Sequence, residues 1–292
     1  MKLFLTYSTK HLRGVLTKRG GNIGRVDSFA FADGERGYRL KESVKGKSVA
    51  IIGSILPDPE SLFELMALHH LVRENGSRQT TLVIPYLGYA RQDRPSQPGE
   101  GSIGIMVVEL IQKLNPSQLI LFDVHSDLIR KSFGPSVKEL STLPLFAKAL
   151  TKDPPDVIVS PDAGFISRAE NLAKLLKPRP EVAVIDKVRP HPNVAIAKRL
   201  HGDVRGKNVL IVDDIIDTGG TVSEAVKLVS QNGAKKIRVA ATHGIFSGNA
   251  RDHLLGLPIE KILITNTLKQ IPYPKIRIIN IISLILKTLD RT

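Results

Sequence analysis

The sequence predicts an α/β protein built from two tandem parallel-sheet domains. Its strand candidates are apolar throughout and alternate with helical patterns, as in parallel sheets that helices cover on both faces. A strand–helix–strand unit also occurs twice: GKSVAIIGS begins at Gly46, and GKNVLIVDD begins 160 residues later at Gly206. We therefore expect domains at 1–140 and 141–292, with the option that the C-terminal tail packs back on the first domain.

The two copies continue in the same way. After each strand, an amphipathic helix pattern ends in Asn-Gly, at residues 75–76 and 232–233, and a second apolar strand follows. These second strands are TTLVIPY from Thr80 and KIRVAATHG from Lys236. The other candidates are strands at QLILFDVHS (from Gln118), DVIVSPD (from Asp156) and EVAVIDK (from Glu181), helices at Ile103–Leu114, Pro144–Leu150 and Phe165–Leu176, and a strand followed by a packed helix from Ile276.

The composition limits the classes of protein and of partner. The 292 residues include no cysteine, which excludes a disulfide framework, thiolate zinc sites and cysteine nucleophiles and fits a cytoplasmic protein. The N-terminus lacks the apolar core of a signal peptide, and the most apolar stretch of the tail has only 14 residues, so we expect no membrane partner. A net charge of +14 favours anionic partners. Because the basic residues are dispersed and aromatic residues make up only 5%, we expect phosphorylated small molecules and no nucleic acid.

Polar side chains lie at the ends of several predicted strands. In open parallel sheets, ligands bind at the carboxyl ends of the strands. The residues concerned are Asp123, His125, Asp162, Asp186, Lys187, Asp213 and Asp214. Any one of these residues could be an ordinary polar residue at a strand end. Their common placement predicts that ligands bind at this edge of the sheets.

The stretch VLIVDDIIDTGGT, from Val209, combines acids with a glycine-rich turn. Backbone amides at a helix start can bind a phosphate, and threonine hydroxyls add donors. Asp213 and Asp214 should point to opposite sides of the strand, where a carboxylate can accept from sugar hydroxyls or hold Mg²⁺. Together these features indicate a ribose phosphate. The alternatives are an ordinary turn with a threonine cap and solvated acids.

This stretch resembles the ribose-phosphate-binding signature of the type I phosphoribosyltransferase fold. Six further segments, which occur in family order, narrow the resemblance to the ribose-phosphate pyrophosphokinases. They are FADGE (Phe31–Glu35), YARQDR (Tyr89–Arg94), FDVHS (Phe122–Ser126), VSPDAG (Val159–Gly164), DKVRPHPN (Asp186–Asn193) and THGIFSG (Thr242–Gly248). Members of this family carry two tandem domains of that fold, which agrees with the repeat.

The resemblance implies an activity. Family members transfer the β,γ-diphosphoryl group of Mg·ATP to the C1 hydroxyl of ribose 5-phosphate, giving phosphoribosyl pyrophosphate for nucleotide biosynthesis, and AMP. It therefore implies Mg²⁺ as cofactor, ATP and ribose 5-phosphate as partners, and a homo-oligomer. That oligomer is at least a dimer, because in the family the FADGE segment reaches the active site of a neighbouring subunit and completes the adenine pocket.

The resemblance also implies roles for individual residues. The ribose-5-phosphate site comprises Arg189, Asp213, Asp214, Asp217, Thr218, Gly219, Gly220 and Thr221. The ATP site comprises Phe31, Asp33, Glu35, Arg91 and Gln92, and the mobile catalytic loop supplies Lys187 and Arg189. The metal ligands that the resemblance implies are His125 and Asp162. The residues alone favour a histidine that is either buried or supports a ligand without binding the metal, since Mg²⁺ prefers oxygen.

Two alternative functions explain fewer features of the sequence. A phosphoribosyltransferase would need one active domain and a base pocket, and it would leave YARQDR and KVRPHPN unexplained. A non-catalytic regulatory relative that binds ribose phosphates or RNA would be expected to lose the Lys187–Arg189 pair or His125, and all three are present. The run GEGSIG from Gly99 matches a dinucleotide-binding pattern, but it follows a polar loop and not a strand, so we expect a lead-in to the helix at Ile103.

Overall fold

The computed structural model describes residues 1–135, 137–188 and 197–290, with the backbone alone at 187, 188, 197 and 198. The chain divides into two compact units. The first comprises Met1–Leu140, Thr267–Lys269 and Ile281–Thr292, and the second comprises Ser141–Asn266 and Gln270–Asn280. The C-terminal segment is thus shared between the units.

The first unit contains a five-stranded parallel sheet in the order β1-β4-β5-β6-β7. Its elements are β1 (Lys2–Leu5), a 3-10 helix (Tyr7–Leu12), α1 (Arg13–Lys18), β2 (Val26–Ala30), β3 (Arg36–Leu40), β4 (Ser48–Ile52), α2 (Pro59–Glu74), β5 (Gln79–Ile84), α3 (Ile103–Lys113), β6 (Gln118–Phe122), α4 (Asp127–Ser132) and β7 (Val137–Leu140). Strands β2 and β3 form a separate antiparallel ribbon.

The second unit contains a seven-stranded sheet in the order β10-β9-β8-β11-β12-β13-β14. Its elements are α5 (Leu143–Leu150), β8 (Val157–Ser160), a 3-10 helix (Ala163–Phe165), α6 (Ile166–Leu175), β9 (Glu181–Val188), β10 (Ala197–His201), β11 (Asn208–Ile216), α7 (Gly220–Gln231), β12 (Lys236–Gly244), α8 (Ala250–Leu255), β13 (Lys261–Thr265) and β14 (Ile276–Ile279). The last helix, α9 (Ile282–Leu289), belongs to the first unit.

One strand of the second sheet departs from the expected parallel arrangement. β10 pairs antiparallel with β9, and the pairing extends to Val188 opposite Ala197. β9 spans Glu181–Val188, so Asp186 and Lys187 lie within its last three residues, close to the predicted strand end. Their backbone belongs to the ladder, where Asp186 lies opposite Arg199.

The repeat is visible in the backbone hydrogen bonds. In the first unit Gly46 N donates to Gly76 O at 2.8 Å, and in the second Gly206 N donates to Gly233 O at 2.8 Å. Both second glycines have positive φ, which suits glycine at a helix C-terminus. The strand registers also correspond, since Ser48 pairs with Gln79 as Asn208 pairs with Lys236.

Because the strands are apolar throughout, their side chains form hydrophobic cores on both faces of the sheet. In the second unit Val209 and Ile211 of β11 belong to one buried cluster with α7, and Leu210 and Val212 belong to another with α5 and α6. Helices therefore cover both faces, as the apolar pattern predicts. No helix among the described residues is long and apolar enough to cross a membrane.

The α2 helix buries a histidine that gives the first unit a pH dependence. His69 is 3% exposed, and its Nε2 has no hydrogen-bond partner. Burial, with the nearby Arg73 and His70, lowers the pKa of His69 to about 4. Below its ordinary pKa of about 6.5, the unfolded chain therefore binds a proton that the folded protein does not.

We expect stability to fall as the pH drops from 6.5 towards 4, by up to about 1.4 kcal/mol per pH unit from this residue. The His69→Leu variant should lose this contribution, so its urea unfolding midpoint should change less than that of the wild type between pH 7.5 and pH 5. His201→Leu is the control, because His201 is exposed in the second unit and does not influence the pKa of His69. Equal pH dependence in His69→Leu and the wild type would contradict the assignment.

Candidate active site

Two adjacent carboxylates are buried near the end of β11. Asp213 is 8% exposed and Asp214 is 2% exposed. The Asp214 amide donates to Asp213 Oδ1 at 2.9 Å. Burial, and after it the neighbouring Asp214, raises the pKa of Asp213 well above its usual value, with Asp162 adding to the effect. β11 therefore places two buried carboxylates at the carboxyl edge of the sheet, where the hydroxyl groups of a sugar could donate hydrogen bonds to them.

The predicted phosphate loop follows immediately. β11 ends at Ile216 and α7 begins at Gly220, so that Asp217, Thr218 and Gly219 form the connection. Gly219 has φ +80°, and a Cβ there would lie 3.1 Å from the Leu254 side chain. Glycine is thus required for both conformation and space. Thr218, Gly220 and Thr221 are exposed at the start of a twelve-residue helix, as an anion-binding loop requires.

A second loop, at residues 245–247 in the THGIFSG segment, holds the first in place. Ile245 N and Phe246 N both donate to Ile216 O, at 2.8 and 3.1 Å. Ser247 N donates to Asp217 O at 3.1 Å, and the Ser247 hydroxyl donates to Asp217 Oδ1. Phe246 adopts φ +54°, a conformation that is uncommon for a residue with a side chain. The 245–247 segment therefore fixes the Asp217 carboxylate, and THGIFSG is the only signal for it in the sequence.

Asp162 lies just past the end of β8, as predicted. It is half-buried, and its Oδ1 accepts from Gly164 N at 2.9 Å. The Ser160 hydroxyl donates to Asp162 O at 2.7 Å, which holds the backbone of the turn. Asp162 also contributes to the raised pKa of Asp213, so the two carboxylates belong to one electrostatic cluster in the second unit.

In the first unit, one hydrogen bond joins two of the predicted segments. The Ser126 hydroxyl donates to Asp93 Oδ2 at 2.7 Å, and this bond is the largest of the influences that lower the Asp93 pKa. It links the loop that carries Arg91 and Gln92 to the residue that follows His125. His125 is exposed, so it is not the buried histidine that was one of the two residue-based expectations, and whether it contacts a metal or supports a ligand stays a prediction. The exposed ring is accessible to a ligand.

Glycine at position 104 allows the loop of residues 89–94 to pack on α3. A Cβ on Gly104 would lie 2.8 Å from Tyr89 O and 3.0 Å from Gln92 O. Its amide also donates to Gln92 O at 3.0 Å. The GEGSIG run thus serves as a lead-in to α3, which begins at Ile103 as expected.

The tip of the β2–β3 ribbon carries the predicted adenine contacts. Phe31 is 55% exposed and packs edge-on against Phe29, with ring centroids 5.3 Å apart. Asp33 Oδ1 accepts from Glu35 N at 3.0 Å, and Gly34 N donates to Phe31 O at 2.9 Å. The segment is therefore the turn that Asp-Gly indicates, and it also displays an exposed ring.

The two residues of the predicted catalytic loop are described only in part. The backbone of Lys187 lies in β9, but its side chain lies outside the described part of the chain, as does the whole of Arg189. Among the described residues, no three His, Asp or Glu side chains group as a complete metal site. Asp162, Asp213, Asp214 and the 217–221 loop thus belong to the second unit, and Arg91, Gln92 and His125 belong to the first.

The raised pKa of Asp213 predicts a stability penalty that grows with pH. The folded protein retains this proton after the unfolded chain has lost it, so stability falls as the pH rises above the ordinary value of about 4. Asp213→Asn keeps an oxygen acceptor for the Asp214 amide and cannot ionise. We expect its ligand-free unfolding midpoint to rise relative to the wild type between pH 5 and pH 7, by the equivalent of about 1 kcal/mol per pH unit. The exposed Asp252→Asn is the control, and a difference that stays constant with pH would contradict the burial argument.

Comparison with known proteins shows which family has these features. Residues 1–114 match the model of the N-terminal domain of ribose phosphate pyrophosphokinase, and residues 177–292 match that of the phosphoribosyl synthetase-associated domain. A ribose-phosphate pyrophosphokinase of Aquifex aeolicus is 38% identical over 267 residues, which are 89% of this chain and 85% of that relative. One from Fusobacterium nucleatum is 32% identical over 300 residues, covering 100% of this chain and 94% of the relative.

The fold comparison agrees. The crystal structure of phosphoribosylpyrophosphate synthetase from Mycobacterium smegmatis superposes with a TM-score of 0.89 at 28% identity, covering 99% of this chain and 97% of that one. The predicted fold class of two α/β parallel-sheet domains is confirmed by this likeness, and so is the predicted family. The chain belongs to the ribose-phosphate pyrophosphokinase family.

Proposed function

We propose that this chain transfers the β,γ-diphosphoryl group of Mg·ATP to the C1 hydroxyl of ribose 5-phosphate, giving phosphoribosyl pyrophosphate and AMP. The observation that carries the proposal is the buried Asp213–Asp214 pair directly before a glycine-rich helix start. This arrangement provides separate groups for binding a phosphate and for binding sugar hydroxyls. The backbone amides and the threonine hydroxyls of 218–221 suit the 5-phosphate, and the carboxylates suit the ribose hydroxyls.

Asp217 connects these two parts of the sugar site. Its side chain accepts the Ser247 hydroxyl, and its backbone carbonyl accepts the Ser247 amide. A fixed carboxylate at this point holds the loop in the shape that its ligand needs, so that less conformational entropy is lost on binding. Ser247 is in this account a positioning residue, which acts through Asp217.

The donor set fits a magnesium ion. Mg²⁺ usually binds proteins through one or two carboxylates and completes its shell with waters and substrate phosphates. Asp162 offers a half-buried carboxylate in the second unit, and we retain His125 as a proposed ligand because its ring is exposed. When bound, the ion would neutralise charge on the polyphosphate.

Within the transfer itself, the protein residues hold and orient the reactants. Arg91 and Gln92 are exposed on a loop that Gly104 and Asp93 support, and we propose that they bind the ATP phosphates. Lys187 is proposed to contact the migrating group and Arg189 to contact phosphates of either substrate. Such transfers depend mainly on positioning and charge stabilisation, which these cations supply.

The adenine pocket and the assembly belong to the same proposal. Phe31 presents an exposed ring for stacking, and Glu35 and Asp33 offer carboxylates for the adenine amino group. We propose a homo-oligomer, at least a dimer, in which this ribbon tip completes a neighbouring subunit's site. We also propose that the compact units correspond to the domains expected at 1–140 and 141–292, with α9 added to the first. The expected cytoplasmic location stays a prediction.

Removal of the Lys187 amino group tests the transfer step. We expect Lys187→Ala to lower the rate of AMP formation from ATP and ribose 5-phosphate by about 100-fold or more, because charge stabilisation of the migrating group is lost. Lys174→Ala, at an exposed position of α6, is the control and should keep the wild-type rate. A full rate in Lys187→Ala, or AMP formation that does not depend on the sugar, would show the mechanism to be wrong.

The Asp217–Ser247 contact predicts a specific effect on sugar binding. Asp217→Ala should raise the KM for ribose 5-phosphate far more than the KM for ATP. Ser247→Ala should produce the same selective effect at a smaller size, about 3- to 10-fold, since it removes one hydrogen bond. Ser230→Ala replaces an exposed serine of α7 and should change neither constant. Equal changes in both KM values would argue against the site assignment.

A further inference from the structure

A basic cavity lies at the edge of the second sheet opposite the predicted sugar site. It has a volume of about 380 Å³ and is lined by residues from the start of β12, β13 and β14 and from the end of α5. Arg238 is the third residue of β12, and Asp217 follows the far end of the neighbouring parallel strand β11. At about 3.3 Å per residue, the two edges are roughly 20 Å apart.

The side chain of Arg238 is buried but incompletely paired. It is 5% exposed, and its Nη1 donates to Asp153 O at 2.8 Å and to Asp153 Oδ2 at 3.2 Å. Its Nε and Nη2 have no hydrogen-bond partner, and the nearest approach of Nε to Glu260 Oε2 is 4.0 Å. Buried guanidinium donors are rarely left unpaired, because each lost hydrogen bond is costly.

The charges around Arg238 favour an anion as the missing acceptor. Besides Arg238, the lining includes four cations, Lys148, Lys152, Lys261 and Arg277, against the two acids Asp153 and Glu260. Both acids are already engaged, Asp153 with Arg238 and Glu260 with Lys236 at 3.4 Å. The cavity therefore keeps an excess of positive charge that no described carboxylate in its lining balances.

A structural role explains only part of this cluster. Arg277 Nη1 donates to Ala149 O at 3.1 Å, and Arg238 binds the carbonyl of Asp153, so both arginines satisfy carbonyls at and beyond the end of α5. That role accounts for one nitrogen of each guanidinium. It does not account for the two free nitrogens of Arg238 or for three lysines around the same cavity.

We propose that this cavity is a second anion site, which binds a phosphate group. Guanidinium donors in a fork match the oxygens of phosphate, and lysine side chains add charge without demanding a fixed geometry. The volume admits inorganic phosphate or a small phosphate ester. The site is separate from the residues of the proposed reaction and does not depend on that proposal.

The test measures binding of radiolabelled inorganic phosphate by equilibrium dialysis with no ribose 5-phosphate or AMP added, because these phosphate esters could also enter the cavity. Every protein in the test carries Gly220→Asp, which places a negative charge in the 218–221 loop at a position with room for a side chain and so keeps phosphate out of the proposed active site. We expect one phosphate per chain to remain bound. Lys261→Ala combined with Arg277→Ala should weaken this binding by at least 10-fold, because both side chains are exposed cations of the lining. The matched control is Lys227→Ala with Lys235→Ala, which removes two exposed lysines of the same unit outside the cavity and should leave binding unchanged.

The outcomes are distinct. Competition by glycerol 3-phosphate at similar concentration would identify a phosphate ester as the ligand type, and resistance to it would identify free phosphate. Loss of phosphate binding in Arg238→Met, with the fold retained by circular dichroism, would support the role of the buried guanidinium. No phosphate bound under these conditions, or equal weakening in the two double variants, would overturn the proposal whether or not the chain is active as a pyrophosphokinase.

Discussion

Burial of two neighbouring carboxylates near the end of β11 is the constraint on which the rest of the second unit depends. Asp213 and Asp214 are almost fully buried on a strand that helices cover on both faces, and burial disfavours the charged form of a carboxylate. The acids therefore gain most from a ligand that brings hydroxyl donors or a cation. Three features fix the backbone around the two aspartates. They are the β11 ladder, the positive φ of Gly219 and the hydrogen bonds from residues 245–247 to Ile216 and Asp217.

The first copy of the repeat has a closed strand end where the second copy has its two aspartates. Gly53 and Ser54 stand where the second copy has its aspartates. Ser54 is fully buried, and its hydroxyl donates to Thr267 O at 2.8 Å. A Cβ on Gly53 would lie 2.7 Å from the Thr6 methyl group and 3.0 Å from Leu65. Close packing thus fills the space at the strand end, and a larger acidic residue would not fit there.

Local patterns predicted most of the fold, and tertiary contacts account for what they missed. The strand–helix alternation and the Asn-Gly helix ends were sufficient for the parallel sheets, because each is a short-range signal. The antiparallel β10 was missed, since nothing within AKRLH reveals the direction of its partner. Ser247 was missed as a support for Asp217 because the two residues are 30 positions apart and meet only when the loops fold.

The surroundings of Arg238 also could not be predicted from local sequence patterns. In KIRVAATHG it is one polar residue in an apolar strand, and only its neighbours on β13, β14 and α5 give it a cavity and excess charge. The first copy again provides the contrast, because the matching registers of β4–β5 and β11–β12 place Thr81 at the equivalent position. Thr81 is buried at 2% exposure. The acids at one edge of the second sheet and the arginine at the other are therefore both absent from the first copy. In the second unit the buried guanidinium of Arg238 therefore has no counterpart in the first, and its two unpaired nitrogens are the feature that calls for an acceptor there.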